Sequence, residues 1–203
     1  MLLIIGIFMN MQERLVVSIT GASGSIYGIR LTEVLLQLGF DVDLIISSSG
    51  LLVIKEELGL TWEDLRKKFP QVRWVKEKDL TDPVASGSRL IHYRGVIIAP
   101  CSMSTLACIS AGINNNLIHR VCEVALKERV PLVLLVREMP YSLIHLENML
   151  RVVKAGAVVM PASPGFYHKP KSIEDMVDFV VGKILDALRI EHHLFRRWRE
   201  PQE

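Results

Sequence analysis

Five apolar runs, each followed after a gap by a helix-like stretch, set the tightest limit on what this chain can fold into. They lie at Arg14 to Thr20, Asp41 to Ser47, Gly95 to Pro100, Pro131 to Val136 and Ala157 to Pro161. Alternation of strand and helix is the signature of a parallel sheet covered by helices. The expected fold is α/β, a single-domain Rossmann-like three-layer sandwich with a mostly parallel sheet. A weaker strand at Gln71 to Lys76 precedes the loop TDPVASGS, Thr81 to Ser88. Between the runs, Ile26, Ile29, Val34, Leu35 and Leu38 mark one helical face, with Arg30, Glu33 and Gln37 off it and Gly39 closing the element. Asn116 to Glu128 and Leu143 to Lys154 also read as helices. Ser172 with Asp175 has the form of a capping box opening a helix that runs to about Leu188. The chain of 203 residues suits one domain with a full core, placed here at 14–188.

In an open parallel sheet, ligands bind beyond the carboxyl ends of the strands. The residues there are Gly21-Ala22-Ser23, Ser47-Ser48-Ser49, Cys101 to Thr105, Arg137-Glu138, and the loop Ser163 to Lys171. Glycine and small hydroxyl residues dominate the first three, which suits donors wrapped around a phosphate or a flat polar ring. The stretch SITGASGSIYGIRL, Ser18 to Leu31, has the strand, glycine loop and helix of a phosphate-binding unit. Its glycines at 21, 24 and 28 resemble a short-chain dehydrogenase loop, but a nicotinamide enzyme needs an acid at the end of the second strand. Asp41 and Asp43 stand at that strand's start. Tyr167 and Lys171 have Y-x-x-x-K spacing, yet Pro170 breaks the helix that would place both on one face. The dinucleotide reading therefore fails.

A net charge of +2 with half the residues apolar gives no electrostatic footprint for nucleic acid. Cys101, Cys108 and Cys122 form no C-x-x-C pair, which argues against a disulfide framework and a zinc site; no metal is expected. The opening MLLIIGIFM is too short to span a bilayer and has no basic flank or cleavage site, so a cytoplasmic protein without a membrane span is expected. Residues 1–13 read as an extension or an arm that packs on a partner. The basic tail at 189–203 reads as an arm that packs on a neighbouring subunit.

The combination of TGASG, PCS with Thr105, NLIHR, ALKER, VREMP, HLENML and PGFYH resembles the UbiX-type flavin prenyltransferase family, from the glycine loop through to RRW near the C-terminus. The resemblance implies a metal-independent transferase. Such an enzyme joins a dimethylallyl group from dimethylallyl phosphate to reduced FMN, at N5 and then C6, and yields prenylated FMN for a UbiD-type decarboxylase. It also implies a homo-oligomer, with a dodecamer as the candidate assembly. By the same likeness Gly21, Ala22, Ser23, Ser47, Ser102, Met103, Ser104, Thr105 and Arg137 would hold FMN. Tyr167 and Lys183 would hold dimethylallyl phosphate, Arg120 and Lys127 would add positive charge around it, and Trp198 matches an aromatic near the site. Glu57 and Glu138 match the family's acidic positions.

These implied roles make chemical sense. Breaking an allylic carbon–oxygen bond separates an allyl cation from a phosphate dianion, so cations and the Tyr167 hydroxyl must grip the anion while aromatic faces favour the cation. Ring closure needs a base, for which Glu138 or the released phosphate is the candidate, with Glu57 managing protons near the phosphate. Taken alone, Arg120, Lys127 and Lys183 would pass for solvated cations on amphipathic helices. Two other readings compete: an FMN-dependent cysteine decarboxylase of related fold, and a non-catalytic FMN-binding protein. The first resembles enzymes carrying a P-x-M-N-x-x-M-W clamp, where this chain has MPASPGFYHKP. The second leaves the basic cluster and Tyr167 without a role.

Overall fold

The computed structural model describes residues 13–199. Its strands are β1 (Arg14–Ile19), β2 (Asp41–Ile46), β3 (Arg73–Val75), β4 (Gly95–Cys101), β5 (Leu132–Val136) and β6 (Val158–Pro161). All pair in parallel, in the order β3-β2-β1-β4-β5-β6. The six expected runs are thus the six strands, and the sheet is wholly parallel among the described residues. The helices are α1 (Ser25–Gln37), α2 (Ser48–Leu58), α3 (Trp62–Lys68), α4 (Gly87–Leu90), α5 (Met103–Ala111), α6 (Leu117–Glu128), α7 (Leu143–Lys154) and α8 (Ile173–Ala187).

Strand side chains alternate between two cores, which is why the runs are apolar throughout. Leu15, Val17 and Ile19 of β1 join a layer with α1 and α8, while Val16 faces α5 and α6 with Ile98 and Leu134. Each such buried Val, Leu or Ile contributes about 1.5–3 kcal/mol relative to exposure. α1 lies close against the sheet because Gly28 has no side chain: a Cβ there would stand 2.1 Å from the Ala99 carbonyl oxygen. The expected capping box of α8 is present, with Asp175 N–H donating to Ser172 Oγ at 3.1 Å and Ser172 N–H donating to the Asp175 carboxylate at 3.2 Å.

The register aligns the carboxyl ends that matter. Ile19 lies beside Ile46, Cys101 beside Val136, and Val136 beside Pro161. Chain order reverses between β1 and β4, so the loops after these two strands lead to opposite faces of the sheet, which is where ligands bind in open parallel sheets. The opposite half of β2 is closed by an ion network. Asp43, fully buried, accepts from Arg14 at 3.1 Å, Arg73 at 2.6 Å and the Tyr93 hydroxyl at 2.7 Å. Burial and the adjacent Asp43 carboxylate push Tyr93 up to about 12. Asp43 is therefore committed to structure, far from the position of a ribose-binding acid.

The expected arm at 1–13 lies outside the described residues except for Glu13, whose carbonyl accepts the Asp41 amide at 3.1 Å. The tail is described as far as residue 199. Ile190, His192 and Phe195 fold back along α8 of the same chain, because Gly182 leaves a groove: a Cβ there would stand 2.5 Å from Phe195 and 2.6 Å from His192. On the other side of the molecule, α7 turns Leu143, Ile144 and Leu150 outward at 70%, 67% and 55% exposure.

Candidate active site

Four strand ends build one polar rim. At the reversal point Thr20 ties β1 to β4: its hydroxyl donates to the Pro100 carbonyl at 2.8 Å and accepts the Ser102 amide at 2.8 Å. Ser102 then caps α5, accepting the Thr105 amide at 3.2 Å while its hydroxyl donates to Thr105 Oγ1 at 3.0 Å. Beside β1, the Ser47 amide donates to the Ile19 carbonyl at 3.0 Å, and the Ser47 hydroxyl caps α2 by accepting the Gly50 amide at 2.9 Å. Ser47 and Ser49 share a hydroxyl hydrogen bond at 3.1 Å. Gly21 lets the first loop press against this serine turn, since a Cβ would stand 2.6 Å from Ser49. From the end of β5, Arg137 Nε reaches back to the Ser23 carbonyl at 3.1 Å. Gly21 to Ser23, Ser47, Ser102 to Thr105 and Arg137 are therefore contiguous along the rim, with Ser23 and Ser104 exposed, Met103 half-buried and Ala22 buried beneath.

The helix N-termini on this rim differ in charge. Glu57 places its carboxylate on the start of α1, accepting the Gly24 amide at 2.9 Å, the Ser25 amide at 2.9 Å and the Ser25 hydroxyl at 2.7 Å. Burial pulls its pKa upward, but hydrogen bonds from Ser23, Ser25 and the loop amides outweigh that and hold the carboxyl below its ordinary value. Glu77 does the same for α2, accepting from the Ser48 amide and hydroxyl, each at 2.9 Å, and from Asn116 Nδ2 at 3.0 Å. α5 has no acidic residue in its first turn and only a neutral serine cap. Its positive end, unlike those of α1 and α2, is open to a ligand's anion.

Residues 9–185 match the family described as Flavoprotein. A flavin prenyltransferase UbiX of Aquifex aeolicus is 63% identical over 188 residues, covering 93% of this chain and all of the relative.

The chain belongs to the UbiX flavin prenyltransferase family.

Among solved structures, AnUbiX (PadA1) in complex with FMN and dimethylallyl pyrophosphate is 40% identical with a TM-score of 0.88, covering 94% of this chain and 100% of its own. A dodecameric FMN-dependent UbiX-like decarboxylase from Escherichia coli O157:H7 is 36% identical with a TM-score of 0.86, covering 92% and 100%.

In this UbiX-family chain the remaining candidate residues fall into separate places. Tyr167 and Trp198 meet edge-on, ring centroids 5.5 Å apart, where the loop after β6 faces the folded-back tail. Glu138 accepts its neighbour Met139's amide at 3.1 Å, so it makes no structural ion pair with Arg137, whose Nε is turned to Ser23. Arg120 pairs with Glu123 at 2.7 Å and reaches the Ala85 carbonyl at 3.3 Å, facing the turn before α4 rather than the serines. Lys127 pairs with Glu128 near Gly87, at the end of α6 that leads into the start of β5, and so lies at the amino edge of the sheet. Lys183 pairs with Asp186 at 3.1 Å, far along α8 toward the same amino edge, where a Cβ on Gly95 would meet Leu188. Within one chain the rim residues are gathered, while Arg120, Lys127 and Lys183 are not brought to them.

Three residues escape sequence reasoning. Thr20 reads as the last residue of a strand, Glu77 as part of the charged run KEKD, and Asp186 as one acid on a helix. Their importance comes from partners distant in sequence, so no local pattern marks them.

Proposed function

We propose that this chain transfers the dimethylallyl group of dimethylallyl phosphate to N5 and C6 of reduced FMN, giving prenylated FMN for a UbiD-type decarboxylase. The observation that carries this reading is the single polar rim from Ser47 through Gly21–Ser23 and Ser102–Thr105 to Arg137, in a chain 63% identical to a flavin prenyltransferase. The rim fits FMN. Gly21 lets the first loop close on the serine turn that opens α2, the α5 N-terminus carries no acid of its own, and exposed hydroxyls at Ser23 and Ser104 suit a flat polar ring. Bound there, the reduced flavin supplies the nucleophilic N5 and C6.

The protein's part is to hold charge. Arg137 and the rim amides orient the flavin. The Tyr167 hydroxyl and the Lys183 ammonium bind the leaving phosphate, which stabilises the charge that develops as the carbon–oxygen bond breaks. Trp198, edge-on to Tyr167, lends an aromatic face to the allyl group. Glu138, half-buried after β5, accepts the proton released on ring closure. Glu57 keeps α1's first turn in place, and its depressed pKa keeps it ionised there.

Arg120, Lys127 and Lys183, none of them on this chain's rim, enter such a site from another copy of the chain. Their distance from this chain's rim and the outward apolar residues of α7 both support assembly. A UbiX-like relative is dodecameric, and we assign this chain to a homo-oligomer of that kind. The cysteine decarboxylase alternative has no P-x-M-N-x-x-M-W clamp to stand on, since MPASPGFYHKP fills that place.

The test is anaerobic incubation with reduced FMN and dimethylallyl phosphate, followed by mass measurement of the extracted flavin. A mass raised by one dimethylallyl unit is expected. Unaltered flavin recovered from protein holding both ligands overturns the proposal. Tyr167→Phe and Lys183→Ala should raise the KM for dimethylallyl phosphate with FMN still bound, whereas Arg137→Ala should release FMN.

A further inference from the structure

The C-terminal arm, residues 189–199, is tied to α8 through one carboxylate. Asp186, near the end of α8, accepts from Lys183 Nζ at 3.1 Å on one oxygen, and from Arg197 Nη2 at 2.9 Å and His192 Nε2 at 3.2 Å on the other. The protonation of His192 follows from its second contact. Its Nδ1 accepts the Leu194 amide at 3.2 Å, so the ring proton sits on Nε2 and is donated to Asp186. The His192 side chain is 1% exposed, and the same carboxylate also carries the Lys183 and Arg197 ion pairs. The Lys183 and Arg197 hydrogen bonds hold Asp186 ionised, although burial opposes them.

From this carboxylate an unbroken run of ring contacts leads to Tyr167. His192 packs on Phe195 at 5.3 Å and Phe195 on Phe179 at 4.7 Å. Phe179 then meets Tyr167 at 5.6 Å and stacks on His168 at 4.9 Å with 10° between the planes. Trp198, 66% exposed, ends the arm against Tyr167. The arm has no strand pairing, so side-chain ties must offset the entropy of ordering it.

We propose that Asp186 is a positioning residue for dimethylallyl phosphate, fixing Lys183 on one side and clamping through Arg197 and His192 the arm that lays Trp198 on Tyr167. This rests on the assignment of Tyr167, Lys183 and Trp198 to that substrate. Because Arg197 and His192 share one oxygen, Lys183 can turn its ammonium to the phosphate while the arm stays anchored.

The chain has three tryptophans, so a Trp62→Phe, Trp74→Phe background leaves Trp198 emission as a reporter of the arm. In that background Asp186→Asn should raise the KM for dimethylallyl phosphate roughly tenfold, leave FMN affinity unchanged and shift Trp198 emission to the red. Asp186→Glu should recover most of both effects. Retained FMN binding and thermal unfolding establish that each variant is folded; should Asp186→Asn not fold, Arg197→Gln gives the same emission shift with a smaller rise in KM. An unchanged KM in folded Asp186→Asn overturns the proposal, and so does unchanged emission. Lys183→Ala separates this from the reading beneath it. If that variant keeps its KM while Asp186→Asn raises it, the assignment of Lys183 falls and the clamp on Trp198 stands; if neither moves KM, both fall.

Discussion

At the scale of single residues, the loop that reads as a phosphate cradle already holds an anion of the chain's own. Glu57 takes the amides of Gly24 and Ser25 that a free phosphate would otherwise take. The folded chain therefore binds the Glu57 proton more weakly than the unfolded chain does. The stability this tie contributes is present above the ordinary carboxylate range and is lost as pH falls through that range toward the depressed value. Glu57→Gln, which sets amide hydrogens against the same N–H groups, should cost about 1 kcal/mol at neutral pH. Denaturant midpoints measured from acid to neutral pH should show the gap between the two proteins closing as pH falls. A gap that stays constant removes the titrating carboxylate from the account. The sequence placed Glu57 by likeness only, since nothing in KEEL says which loop it will meet.

At the scale of elements, α1 is set by two demands on its glycines. Gly24 adopts a positive φ of 96° as the residue before the helix, and Gly28 allows the close approach to β4. Gly28 is helical, so alanine there would gain helix propensity and the substitution isolates the steric cost. Gly28→Ala should destabilise by roughly 1–3 kcal/mol, as overpacking does, and weaken FMN binding because α1 and its loop are pushed off the end of β4. Urea midpoints and flavin titration read the two effects; a variant as stable as the parent would falsify the close-packing role. All six strands and α1, α6, α7 and α8 were legible from apolar pattern and caps. α2, α3, α4 and α5 were not marked: α4 begins inside the stretch Thr81 to Ser88 read as a loop, α2 and α5 open in serine-rich stretches, and hydroxyl caps at Ser47 and Ser102, visible only with the amides they accept, begin the latter two.

At the scale of the whole molecule, one chain presents a flavin rim and an unmatched apolar helix. Leu143, Ile144 and Leu150 stand outward on α7, and Arg120 and Lys127 point away from the rim they are assigned to serve. Introducing charge with Leu143→Glu and Ile144→Glu should split the assembly into smaller species in sedimentation velocity. Prenyl transfer should fall at least tenfold with it, while FMN affinity falls less, because the rim belongs mainly to one chain. Full activity in a dissociated variant would show that each chain is complete.

The sequence alone determined the parallel sheet, its covering helices and the strand ends where ligands meet, because apolar period, glycine position and cap residues act over a few neighbours. Its motifs also carried the family. Only the tertiary structure decided which groups meet across the chain: Glu57 on α1, Glu77 on α2, Asp43 between two arginines, Asp186 between α8 and the tail. Charge pairs and caps depend on distances in space, and residues far apart in the chain acquire those distances when the sheet is assembled.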